Sequence, residues 1–192
     1  MSSSRHSQPT RTHSFRRLSL AFVGGIAFVI AGAALFVAVG GVDVAQTIKP
    51  GFLDRTLAPW ALDRSIQART GHEQNPITAS KAALETGREH YANNCVTCHG
   101  APGIHAAELA KGLTPSPPPL DGSMTQSSSD AELFWIVKNG VRFTAKPGFG
   151  PTHSDAEVWK LILFVRHLPE LSEEDCAALR LPDKTGARAS QP

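Results

Sequence analysis

The sequence predicts an all-α domain carried behind one membrane-crossing helix. Leu18 to Val42 is an unbroken apolar run of 25 residues with no charge and a single Ser. Ser129-Asp-Ala-Glu132 and Ser154-Asp-Ala-Glu157 are capping boxes, each opening an apolar stretch of helical length. No stretch shows the alternating pattern of a half-buried strand.

Along the chain, residues 1–17 form a basic tail with Arg5, Arg11, Arg16 and Arg17 and no acid. Residues 18–42 are long enough to span a hydrocarbon core of about 30 Å with some tilt. A cleaved signal peptide would have a shorter apolar region and small residues at its exit. The exit here, Val39-Gly40-Gly41-Val42-Asp43, is a poor cleavage site. Only Lys49 and Arg55 follow the run closely, so the charge bias keeps the N-terminus in the cytoplasm. Residues 43–77, with Pro50, Pro59 and Pro76, read as a connector with one short helix around Leu62–Ala68. Trp60 fits either the membrane interface or a packed position on the domain.

Residues 78–180 form the folded domain. Ala79–Asn94 reads as a helix with Leu84, Gly87 and Tyr91 on one face. Residues 100–128 are rich in Gly, Pro and Ser and read mostly as loop, with Thr114-Pro-Ser-Pro-Pro-Pro119 extended. A helix from the first capping box runs to Asn139, with Gly140 as its stop. The second, Asp155–Leu168, ends at Pro169 and is apolar nearly all round, so it requires cover on more than one side. Residues 181–192 read as a disordered tail.

Net charge is +2; the +4 of residues 1–42 leaves −2 for residues 43–192. A weakly acidic domain argues against nucleic acid as a partner. Three Cys are too few for a disulfide scaffold.

Cys95-Val96-Thr97-Cys98-His99 is C-x-x-C-H, the attachment signal for haem c. Two thiols three residues apart on one turn reach the two vinyl groups on one porphyrin edge, and His99 then falls under the ring as proximal iron ligand. Its other ring nitrogen should donate to a backbone carbonyl, with residues 115–119 as the candidates. A redox C-x-x-C would need a βαβ setting, and a zinc site a second pair of ligands. Attachment of the haem takes place outside the cytoplasm, where the charge bias independently puts the domain.

Residues 79–170 resemble a class I cytochrome c of the membrane-anchored, single-haem bacterial kind. The resemblance rests on Gly87 and Tyr91 before the haem motif, on Cys95 to Gly103, and on Leu161 and Phe164 in the last helix. It implies that the last helix crosses the first. In that family a loop between the last two helices reads approximately Thr-Gly-Met-Pro-x-Phe-Gly-Pro-Thr-His, and its Met is the second iron ligand. This chain has Thr144-Ala145-Lys146-Pro147-Gly148-Phe149-Gly150-Pro151-Thr152-His153. Four readings of the sixth coordination position therefore stand: Lys146, His153, an open site, or Met124. Trp135 is expected to pack against the haem. Cys176 is either a buried small residue or an exposed thiol. His90, His105 and His167 carry no positional claim, and the acidic residues from Asp155 to Asp175 read as caps and a solvated face.

The resemblance implies a non-enzymatic, membrane-tethered electron carrier with one haem c. It would exchange electrons with respiratory-chain donors and acceptors in the periplasm, from the bacterial inner membrane. The alternative is a haem-based sensor or binder of NO, CO or peroxide, for which the absent Met would leave a labile sixth site. A subunit of a larger oxidase or dehydrogenase is a third reading.

Overall fold

The structure is a computed structural model that describes residues 11–45 and 47–179. The expected tail at 181–192 and most of the basic tail at 1–17 lie outside the described residues. The chain divides into two compact units, Met1–Ile48 and Lys49–Pro192.

In the first unit, α1 (Arg11–Ala38) contains the candidate membrane span Phe15–Ala38, 24 residues with a mean hydropathy of 2.5. Its described side chains from Phe15 onward are exposed, as suits a helix whose solvent is lipid. The helix begins before the apolar run and stops short of Val42. Gly40 and Gly41 donate back to Val37 O and Phe36 O and close the last turn.

In the second unit, α2 (Phe52–Gln67) is more than twice as long as the helix expected around Leu62–Ala68. Pro59 lies inside it and removes one intrahelical donor, but its ring is on an exposed side and the helix continues. The Asp54 carboxylate accepts from Gly51 N–H at 2.8 Å and ties down the start. Ile66 is buried, and the connector's end is pinned where Asn75 Nδ2 donates to Trp159 O at 2.8 Å. Residues 43–77 are thus not a loose connector throughout; their C-terminal half is part of the folded unit. Trp60 is 60% exposed and does not pack on the domain.

The helices α3 (Lys81–Asn94) and α4 (Val96–His99) are followed by α5 (Glu108–Lys111) and α6 (Ser123–Ser127), two short turns within the loop-rich stretch. Then come α7 (Asp130–Asn139), α8 (Asp155–His167) with a 3-10 turn at Leu168–Glu170, and α9 (Glu173–Ala178). Among the described residues there is no strand, only an isolated bridge between Ala101 and Ile104.

The capping boxes form as the sequence predicts. Glu132 and Glu157 accept from the backbone N–H of Ser129 and Ser154, each at 2.7 Å, while the Ser hydroxyls accept from the N3 amides. The apolar α8 is covered on two sides, by α3 and by α7, and buries Val158, Trp159, Leu161, Ile162, Phe164 and Val165. Gly87 makes the α3–α8 crossing possible. A Cβ there would fall within 2.8 Å of Phe164 Cβ and closer still to Lys160 O, so only Gly admits this approach. Tyr91, fully buried, packs its ring 5.4 Å from that of Phe164.

Candidate haem centre

The crossing of α3 and α8 fixes the end of α3, and the C-x-x-C-H turn starts there. Cys95 caps α3, its N–H donating to Tyr91 O at 2.8 Å, and α4 winds the next four residues into one turn. Within that turn Cys98 N and His99 N both donate to Cys95 O, at 3.1 and 2.9 Å. Cys95 is buried; Cys98 and His99 are half-buried. The turn is locked from outside. Tyr91 Oη donates to Gly100 O at 2.6 Å, and Ala107 N donates to Thr97 O at 2.8 Å. Gly100 has φ 68°, and a Cβ there would collide with Ile104 O.

His99 Nδ1 lies 2.7 Å from Pro118 O. A carbonyl oxygen only accepts, so Nδ1 carries the proton and Nε2 keeps its lone pair. The partner falls inside the Pro-rich stretch 115–119, as the sequence predicts. Burial holds the His99 pKa below its ordinary value; the Pro118 hydrogen bond opposes this, and the nearby Lys146 charge reinforces it. The ring is therefore kept neutral, as a metal ligand must be. Burial pushes the Cys95 thiol up to about 11, against a lowering pull from Lys146. Neither Cys95 nor Cys98 is in a disulfide. Two cysteines on one turn, beside an imidazole whose Nδ1 is tied to a carbonyl, fit covalent haem c.

The loop after α7 brings Lys146 to the same region. It is pinned to the end of α7, where Phe149 N donates to Val137 O at 3.0 Å and Gly150 N to Lys138 O at 2.9 Å. Lys146 N donates to Thr144 Oγ1, and Val141 N closes the loop on Lys146 O. The half-buried Lys146 places Nζ 3.0 Å from Pro147 O and 4.5 Å from the Phe149 ring centroid. Burial lowers its pKa, with the Cys95 thiol acting the other way. Phe143, next in this loop, is 94% exposed at φ 61°.

The other two side chains considered for the sixth position have surroundings of their own. His153 packs between Phe149 and His90, with ring centroids at 5.1 and 5.0 Å, and Nδ1 is 2.9 Å from Thr152 Oγ1. Met124, on α6, is 75% exposed. Trp135 lines a groove of about 290 Å³ with Arg69, Thr70, Glu73, Phe134 and Lys138. It lies beside Phe134, which stacks on Trp159 with ring centroids 4.1 Å apart and, with Val137, packs against the core. Cys176 is buried.

Two polar side chains that sequence reasoning passed over organise the surroundings. Gln126 Nε2 donates to Leu120 O and Val165 O, at 2.8 and 2.9 Å. Arg166 pairs with Asp130 at 2.8 Å and donates to the carbonyls of Gln126, Thr125 and Ser128. Together they hold the segment after the Pro-rich stretch against α8. No local signal marks them, because every partner except Leu120 is more than 35 residues away.

Residues 82–165 match the family described as cytochrome C oxidase, cbb3-type, subunit III. No curated protein matches the chain. The matched segment runs from the start of α3 almost to the end of α8 and contains the thiol pair, His99 with its carbonyl partner, and the Lys146 loop. These residues form a c-type cytochrome domain with one haem c as its cofactor.

Proposed function

We propose that this chain is a membrane-tethered, single-haem electron carrier. Bound haem supplies a one-electron ferric/ferrous couple, tuned by axial ligation and burial. Cys95 and Cys98 would hold the ring as thioethers, and His99 would give its Nε2 lone pair to the iron. The observation that carries this reading is the His99–Pro118 contact beside Cys95 and Cys98 on one turn, inside a segment that matches the family described as cytochrome C oxidase, cbb3-type, subunit III. Lys146 is the sixth-position residue the arrangement favours. It is half-buried and acts electrostatically on both Cys95 and His99, whereas Met124 is 75% exposed. The span Phe15–Ala38 anchors the chain, with the N-terminus cytoplasmic and the haem domain in the periplasm of a bacterial inner membrane. The carrier role is not enzymatic; donor and acceptor are other redox proteins.

Denaturing electrophoresis with haem-peroxidase staining tests the core of this proposal. A stained band near the 20.5 kDa chain mass is expected from a host that attaches haem c, and Cys95→Ala/Cys98→Ala should abolish it. A colourless wild-type chain would overturn it. A second reading is favoured by the matched family's description, which is that of an oxidase subunit. Stoichiometric co-purification with the other chains of such an oxidase would support it over a free carrier.

A further inference from the structure

The N-terminal half of α2 presents an apolar face that the domain does not use. Phe52, Leu53, Leu57 and Trp60 are each more than half exposed. With Thr56 they fall within about 140° of helical arc. The opposite side is the one that meets the protein, through buried Ile66 and half-buried Leu62, as α2 packs on α7. Beyond Trp60 the same face becomes Asp63, Arg64 and Gln67, so the apolar patch ends after about two and a half turns. An exposed cluster of this kind marks an interaction surface.

We infer that this face of α2 lies in the interfacial layer of a lipid bilayer. The inference rests on the reading of Phe15–Ala38 as a membrane span. Three observations select lipid as the occupant. First, the tether is short. Residues 39–51 could span at most about 45 Å if fully extended, so the helix stays at high effective concentration near the surface. Second, the composition suits the interface. Trp60 offers an amphipathic ring, and Phe52, Leu53 and Leu57 offer a shallow apolar wedge. Third, Lys49 stands just before the patch and complements anionic headgroups. The polar end at Asp63–Gln67 limits insertion to the first turns and leaves the Ile66 side free to hold the haem domain.

Nitroxide labels on the full chain in vesicles of phosphatidylethanolamine and phosphatidylglycerol test this. Labels go on Leu57→Cys, on Asp54→Cys beside the apolar arc, and on Val29→Cys in α1. The unsubstituted chain, with its haem thioethers and buried Cys176, sets the background. The expected result at Leu57 is frequent collision with oxygen and loss of collision with an aqueous nickel chelate, while Asp54 keeps its nickel collisions. A Leu57 label as open to nickel as Asp54 overturns the inference. So does a label shielded from both probes, which would mean that a second copy or another protein covers the face. Val29 separates the two levels: a lipid-buried Val29 with a water-exposed Leu57 removes the interfacial helix alone, and a water-exposed Val29 removes the anchor.

Discussion

On the proposed reading, Lys146 takes the sixth coordination position. A thioether is a soft donor and an amine a harder one, so an amine favours ferric over ferrous iron. The cost is deprotonation: from an ordinary value near 10.4, neutralising an ammonium at pH 7 takes about 4–5 kcal/mol. Burial has already lowered the Lys146 pKa from its ordinary value, and a cationic iron nearby would lower it further. Nζ meanwhile rests on Pro147 O and the Phe149 ring, so ligation requires it to exchange that carbonyl for the metal. Two substitutions separate ligand from bystander. Lys146→Met should raise the potential, each tenfold loss of relative ferric stabilisation being worth about 59 mV for one electron. It should also add the weak near-infrared band of sulfur–ferric charge transfer. Lys146→Ala should turn the ferric spectrum high-spin; an unchanged spectrum would assign the position to another group.

Among the elements, α8 contributes most to the fold, and its first turn is pH-sensitive. The Glu157 carboxylate is held below its ordinary value of 4.5, chiefly by the Ser154 hydroxyl and then by the Ser154 backbone N–H, with smaller help from His90 and His153. A depressed carboxylate contributes stability that is fully present above its unfolded pKa and is lost as pH falls through the folded one. The wild-type thermal midpoint should therefore drop on acidification below about pH 4.5, and the Glu157→Gln midpoint should drop less steeply over that window. Parallel curves would mean that the cap is not coupled to unfolding. This cap, its twin at Ser129 and the C-x-x-C-H turn were legible in the sequence because each is made within a few residues. The His99 partner was legible one step further, since a Pro-rich stretch leaves its carbonyls unpaired. The longer α2 was not, because Pro59 reads as a breaker until its exposed ring is seen.

At the scale of the whole molecule, the chemistry and the charge pattern select the same arrangement by separate routes. Arg5, Arg11, Arg16 and Arg17 precede the span, with only Lys49 and Arg55 close behind it, so positive charge favours retention of the N-terminus in the cytoplasm. On the proposed reading, Cys95 and Cys98 become thioethers on the far side, where haem c is attached. An inverted chain would leave them as thiols in a reducing compartment. Every residue argued to hold the haem lies in the second unit, beyond Ile48. Spheroplasts test the orientation directly. Externally added protease should remove the haem-stained band while an N-terminal epitope remains protected until the membrane is permeabilised. Protection of the haem domain together with digestion of the N-terminal epitope would reverse the topology. A soluble periplasmic chain whose mature N-terminus lies near residue 42 would replace the anchor with a cleaved leader.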